Sequence, residues 1–168
     1  KSKIAIVISE NDNGLYDAIN KGIQNASGEI IGILHSDDYW HENALEIVKQ
    51  YFANNKSIDF LFGSVIKHKH LYGYHPWRIY WTFNFYRTHS VGFFIKKKSQ
   101  LKVGLYNTKY KYSSDYDLFY RMIVKMKMKG MATKKDEILG NFYTEGQSSR
   151  IKYIDYLNEN TLIRLDNG

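Results

Sequence analysis

Glu29-Ile30-Ile31-Gly32-Ile33-Leu34-His35-Ser36-Asp37-Asp38 is a short apolar run that ends in two adjacent carboxylates. Apolar residues fill four of the five positions from Ile30 to Leu34, with Gly28 before them and charge after. That length predicts a buried strand, since a helix needs roughly ten or more residues. Asp37 and Asp38 then stand at its carboxyl end, where ligands collect in open α/β sheets.

Upstream, Ile4-Ala5-Ile6-Val7-Ile8 is a second β-branched run and predicts a strand buried on both faces. The polar turn Ser9 to Gly14 follows it. Leu15, Ala18, Ile19, Ile23 and Ala26 then recur at helical spacing until Gly28. Strand, helix and strand predict a right-handed βαβ unit with parallel strands, which would set the Asp12 turn beside Asp37 and Asp38.

Downstream, Ala44, Leu45, Val48, Tyr51 and Phe52 predict an amphipathic helix ending near Asn54-Asn55, and Ile58 to Ile66 a third strand. From His68 to Thr88 the pattern gives way to aromatics and histidines around the only proline, Pro76. These rings either form a binding surface, since aromatic faces stack on the apolar faces of sugar rings, or fill a core. Val91 to Ile95 predicts a strand, followed by a lysine cluster and a turn at Gly104. Ser113-Ser114-Asp115-Tyr116-Asp117 opens a helix with the apolar stripe Leu118, Phe119, Met122, Ile123 and Met126. Capping is one reading of Ser114, Asp115 and Asp117, although one carboxylate suffices for a cap. Ile138 to Tyr143 predicts a strand, Thr144 to Ser149 a polar loop, and Ile151 to Leu165 a closing helix.

The 168 residues suit one domain with a sizeable core, and 43% hydrophobic with 24% charged residues is ordinary for a globular chain. The absence of cysteine excludes disulfides and thiolate metal sites. No apolar run approaches the roughly 18 residues that span a bilayer, and no signal-peptide pattern is present, so a cytoplasmic location is expected. The net charge of +7 concentrates at Lys96 to Lys98 and at Lys125, Lys127, Lys129, Lys134 and Lys135. Such clusters are either a solvated face or a surface for an anionic partner. Nucleic acid is not expected, because the second cluster lacks interleaved stacking aromatics.

Four ordered motifs carry a resemblance. Ser9 to Gly22, Gly28-Glu29-Ile30-Ile31-Gly32 with Ser36-Asp37-Asp38, then His89 with Phe93-Phe94 and Gly104-Leu105-Tyr106, and finally Ser114 to Arg121 resemble the family 2 glycosyltransferases of GT-A fold over residues 3 to about 150. The resemblance implies a Rossmann-like α/β fold with a mixed, mainly parallel sheet flanked by helices. A single domain over 1-168 is expected, with a donor and metal part (1-66), an acceptor and catalytic part (67-150) and a C-terminal helix (151-168). The chain begins at what looks like the family's third strand, so it is expected to lack about one βαβ unit, ~30 or more residues. Self-association through the sheet edge thereby exposed is a further expectation. The acidic motif carries His35 where many relatives have an aspartate, and Ile19 stands where many have an arginine.

The family's activity implies inverting transfer of a sugar from a nucleoside-diphosphate sugar to a glycan or lipid-linked acceptor. By resemblance, Asp38 and Asp37 hold Mn2+ or Mg2+, hard cations suited to carboxylates and phosphate oxygens. Asp37, Asp12 and Asn20 stand on the donor side, Asp115 is the general base, and His89 and Trp40 face the acceptor. Gly146 to Ser149 falls where relatives carry a loop near the active site. A basic face would suit peripheral contact with an anionic membrane. The alternative is a glycosyltransferase-like binding or assembly module without turnover.

Overall fold

The computed structural model describes residues 4–67, 70–73, 75–81, 90–142 and 152–168. The opening run forms β1 (Ile30–Gly32), and the chain continues through β2 (Tyr39–Trp40), β3 (Phe60–Phe62), β4 (Ser64–Lys67), β5 (His70–Tyr72), β6 (Phe93–Lys96), β7 (Gly130–Ala132) and β8 (Ile138–Phe142). Among the described residues five α-helices accompany them: α1 (Leu15–Asn25), α2 (Ala44–Asn54), α3 (Lys97–Val103), α4 (Ser114–Phe119) and α5 (Tyr153–Asn167). Two four-stranded sheets result, ordered β1-β6-β3-β7 and β2-β8-β4-β5.

In the first sheet β6 is antiparallel to both β1 and β3, and β7 is parallel to β3. Three strands therefore point one way and β6 the other. Period-two alternation assigns the side chains to two layers. Ile31, Phe60, Phe62, Phe93 and Ile95 face a core shared with α1 and α4, whereas Leu61 and Phe94 face α2 through Ala44, Val48 and Phe52. Phe60, Leu61 and Phe62 lose all solvent exposure, worth about 1.5–3 kcal/mol for each ring or branched chain.

The predicted third strand is divided at Gly63. Its N–H donates to the Gly92 carbonyl at 2.7 Å, and a Cβ there would stand 2.0 Å from Leu139 Cδ1. A side chain there would have to displace the buried Leu139 where the chain passes from one sheet to the other. β4 then pairs in parallel with β8 and antiparallel with β5.

The Ile4 to Ile8 run is a correction. It joins no strand ladder among the described residues, and Ile6, Val7 and Ile8 are 56%, 79% and 43% exposed. A strand needs a neighbour for its backbone groups and a layer for its side chains, and here β1 pairs with β6 instead. The predicted βαβ unit of parallel neighbours is therefore not formed among the described residues. The helix opened by Ser113 also departs from the expectation: after α4 it continues as a π-helical segment, Tyr120–Lys125, closed by Lys127 with φ +52°.

Candidate functional site

The acidic turn leaves the carboxyl end of β1 and leads into β2, so it bridges the two sheets. Asp38 N–H donates to the His35 carbonyl at 3.2 Å and closes the turn. Asp37 faces solvent, whereas Asp38 retains only 8% exposure. The turn is anchored by the residue expected on the acceptor side. Trp40 donates its indole N–H to the Val91 carbonyl at 2.9 Å and lays its ring against Phe94, centroids 5.4 Å apart. Gly32 makes this possible, because a Cβ there would lie 2.5 Å from the Phe94 ring. Trp40 also lines an apolar cavity of about 310 Å³ with Ile30, Leu45, Val48 and Phe94.

The donor-side candidates lie around the start of α1. Asp12 accepts from Gly14 N–H at 2.9 Å and Asp17 from Asn13 N–H at 2.9 Å, which together shape the turn into the helix. Lys21 pairs with Glu10 at 2.9 Å and donates to the Asn11 carbonyl at 2.8 Å. The Asn13 N–H holds the Asp17 carboxyl below its ordinary value, and the Glu10 bond holds the Lys21 ammonium above its own. Asp12, Glu10, Lys21, Ile6 and Ile8 line a second cavity of about 280 Å³. Asn20 is engaged elsewhere: its amide exchanges two 2.9 Å bonds with the backbone of Tyr106. It locks α1 to the segment after Gly104.

Asp115 opens α4, where its Oδ1 accepts from Tyr116 N–H at 2.8 Å. Its own N–H donates to the hydroxyl of Tyr16, which in turn reaches the Tyr112 carbonyl at 3.4 Å. Tyr16 stacks on Tyr106 with centroids 5.5 Å apart and an interplanar angle of 16°. Burial, then the Asp115 charge, pushes both phenols well above their ordinary value, so each stays a neutral donor at pH 7. The capping reading of Ser114 is corrected, for its hydroxyl, like that of Ser113, is buried without a hydrogen bond among the described residues.

Asp117 is buried beneath this start. Arg121 Nε and Nη2 donate to its Oδ2 at 2.9 and 2.8 Å, and Asn167 to its Oδ1 at 3.1 Å. Arg121 also holds the carbonyls of Leu105, at 2.8 Å, and Val103. On α5, Asp166 takes Lys109 at 2.6 Å and the Tyr110 hydroxyl at 2.5 Å, which keep its carboxyl below the ordinary 3.8. A depressed carboxylate contributes fully above the unfolded value and loses its contribution as pH falls through the lower folded one. The Asp166 midpoint in an NMR titration is therefore expected below 3.8 and should rise in Lys109→Ala. An unmoved midpoint would discount the ion pair.

β6 joins the two groups of residues. Gly32 of β1 pairs with Phe94, Phe62 of β3 with Phe93, and Phe93 packs on Phe119 of α4 at 5.0 Å between centroids. α4, through Phe119, and the acidic turn, through Gly32, thus meet adjacent residues of β6. Among the described residues no three His, Asp or Glu side chains cluster as a metal site. Asp37 and Asp38 offer adjacent carboxylate oxygens, the donor type that hard cations take. His89 and the Gly146 to Ser149 loop lie outside the described residues. Tyr16, Tyr106 and Arg121 stand within the motifs but have no role assigned by the sequence, although the i,i+4 spacing of Asp117 and Arg121 is a signal for an ion pair.

The family model for glycosyl transferase family 2 matches residues 1–119. No curated protein matches the chain. Among solved structures it is similar to residues 1–349 of S. aureus TarS in complex with UDP, at 14% identity and TM-score 0.60, over 87% of this chain and 43% of that one. The same TarS segment in complex with UDP-GlcNAc gives 13% identity, TM-score 0.60 and coverage of 87% and 44%. A longer TarS chain gives 14% identity and TM-score 0.66, over 95% of this chain and 28% of that one. The chain spans less than half the length of these relatives, and the likeness is one of fold, the GT-A arrangement.

Proposed function

Because the chain belongs to glycosyl transferase family 2, we propose that it carries the acidic turn and the base-bearing helix of an inverting enzyme. The substrates in this reading are a nucleoside-diphosphate sugar and a glycan or lipid-linked hydroxyl. One observation supports it above the others: the acidic turn follows Gly32, which pairs with Phe94, and α4, which carries Asp115, packs its Phe119 on the adjacent Phe93 of the same strand.

Asp115 takes the proton of the acceptor hydroxyl as the oxygen attacks the anomeric carbon. The bond from that carbon to the diphosphate breaks on the opposite face, which inverts the centre. An aspartate is ionised at neutral pH without tuning and needs only hydrogen-bond reach to the acceptor. Asp38 and Asp37 would hold Mn2+ or Mg2+, which when bound supplies positive charge to the leaving diphosphate. Asp12 and the Lys21 network border the donor side, and Asn20 acts there by fixing Tyr106. TarS in complex with UDP and UDP-GlcNAc makes a uridine nucleotide the first donor to test.

A second reading, a binding or assembly module without turnover, is favoured by the exposure of Ile6 and Ile8 in the wall of the donor-side cavity. Calorimetric titration with UDP and GDP, with and without Mn2+, separates the two. The expected result is Mn2+-dependent UDP binding that Asp38→Ala abolishes. Absence of nucleotide binding by the folded chain would favour the second reading.

No helix among the described residues is long and apolar enough to cross a membrane. Peripheral contact through the lysine clusters remains part of the proposal, read as binding to anionic vesicles that moderate salt removes. Self-association through the outer edge of β1 is also proposed. A monodisperse monomer in sedimentation at tens of micromolar would remove it.

A further inference from the structure

We infer that Glu159 of α5 is the positioning residue for Asp115, an inference that rests on reading Asp115 as the base. Its carboxylate accepts three consecutive backbone N–H groups: Lys111 on Oε1, and Tyr112 and Ser113 on Oε2, each at 2.8 Å. Consecutive amides converging on one anion form a nest, and charge-assisted bonds of this length are about twice as strong as neutral ones. The nest ends two residues before Asp115. The hydroxyls of Ser113 and Ser114 contribute no cap, so the approach to α4 is held from outside the helix.

α5 also holds the other flank of the base. Arg164 Nε donates to the Tyr116 hydroxyl at 2.7 Å, and Asn167 reaches Asp117. Ile163, fully buried in the same core as Tyr116 and Phe119, seats the helix. Asp115 is thus bracketed on both sides by one element, and Glu159 is the member of that element that fixes the incoming backbone. The α5 side of this arrangement lies beyond residues 1–119, over which the family model matches.

Positioning has a distinct experimental signature. A base displaced by about 1 Å loses rate on the order of 10²-fold while substrate binding is retained. Glu159→Gln keeps the shape and one acceptor oxygen but removes the charge. The expected results are at least tenfold faster hydrogen exchange at the Lys111, Tyr112, Ser113 and Asp115 amides and a kcat for UDP release from UDP-GlcNAc lowered by about 10- to 100-fold. KM and the dissociation constant for UDP should change by less than about twofold. Added to Asp115→Asn, the same substitution should lower turnover no further.

Unchanged exchange at these amides overturns the proposal. So does an equal loss of turnover in the Asp115→Asn background, because general loosening acts with or without the base. Glu159→Asp retains the charge on a shorter arm and is expected to fall between the two; it serves as the test if the glutamine variant does not fold. Turnover untouched by Asp115→Asn, or absent from the unsubstituted chain, counts against the base assignment. The exchange data then decide by themselves whether Glu159 fixes the segment.

Discussion

Replacing Asp115 by Asn is expected to lower turnover by roughly 10²–10⁴-fold with the fold intact, the size of a general-base contribution. The substitution is close to isosteric, and the amide oxygen can still accept from Tyr116 N–H, the bond that Oδ1 makes at 2.8 Å. The bond from the Asp115 N–H to the Tyr16 hydroxyl belongs to the backbone and survives as well. What disappears is the ability to take a proton. The loss should therefore fall on kcat, read as UDP released from UDP-GlcNAc, while UDP binding by calorimetry stays unchanged. A variant with full turnover would remove Asp115 from the mechanism, whereas one that loses UDP binding would mean that the residue serves the donor.

The elements that chain order alone could define were legible. β1 and its acidic turn were readable because an apolar run of strand length stops at charge, and α1 and α2 because their apolar positions repeat at helical spacing. Ile4 to Ile8 carries the same apolar, β-branched signal as β1 yet forms no strand, since periodicity reports what a segment could bury and not whether a neighbour exists. The short strands β2, β5 and β7 owe their existence to partners such as β8, β4 and β3 and have almost no pattern of their own. The site shows the same division. Asp115 stands in a local motif, whereas the Tyr16 to Tyr106 stack and the Glu159 nest join residues far apart in the chain. Those contacts follow from how α1 and α5 pack, which local spacing does not encode.

Replacing Arg121 by Met is expected to destabilise the chain by about 3–5 kcal/mol, the usual result of leaving one partner of a buried ion pair behind. Asp117 is 1% exposed, and without the guanidinium its carboxylate would keep, among the described residues, only the Asn167 amide as a side-chain donor. The carbonyls of Val103 and Leu105 would lose their donors in the same step. These flank Gly104, whose φ of +86° suits glycine, so the guanidinium pins a bend that the backbone does not hold by itself. Set against the 5–15 kcal/mol typical of whole domains, the loss is a large fraction. It should appear as a lower urea midpoint with an unchanged slope. Asp117→Asn should cost less, because Arg121 keeps its two carbonyls and its side chain is 20% exposed, and the double variant should cost less than the sum. Tyr106 follows the bend directly and fixes Asn20 and Tyr16, so the folded fraction of Arg121→Met should also exchange the Asp115 amide faster. A loss below about 1 kcal/mol would place this pair with exposed salt bridges, whose worth is of that order, and would make the packing of Phe119 on Phe62 and Phe93 the anchor of α4.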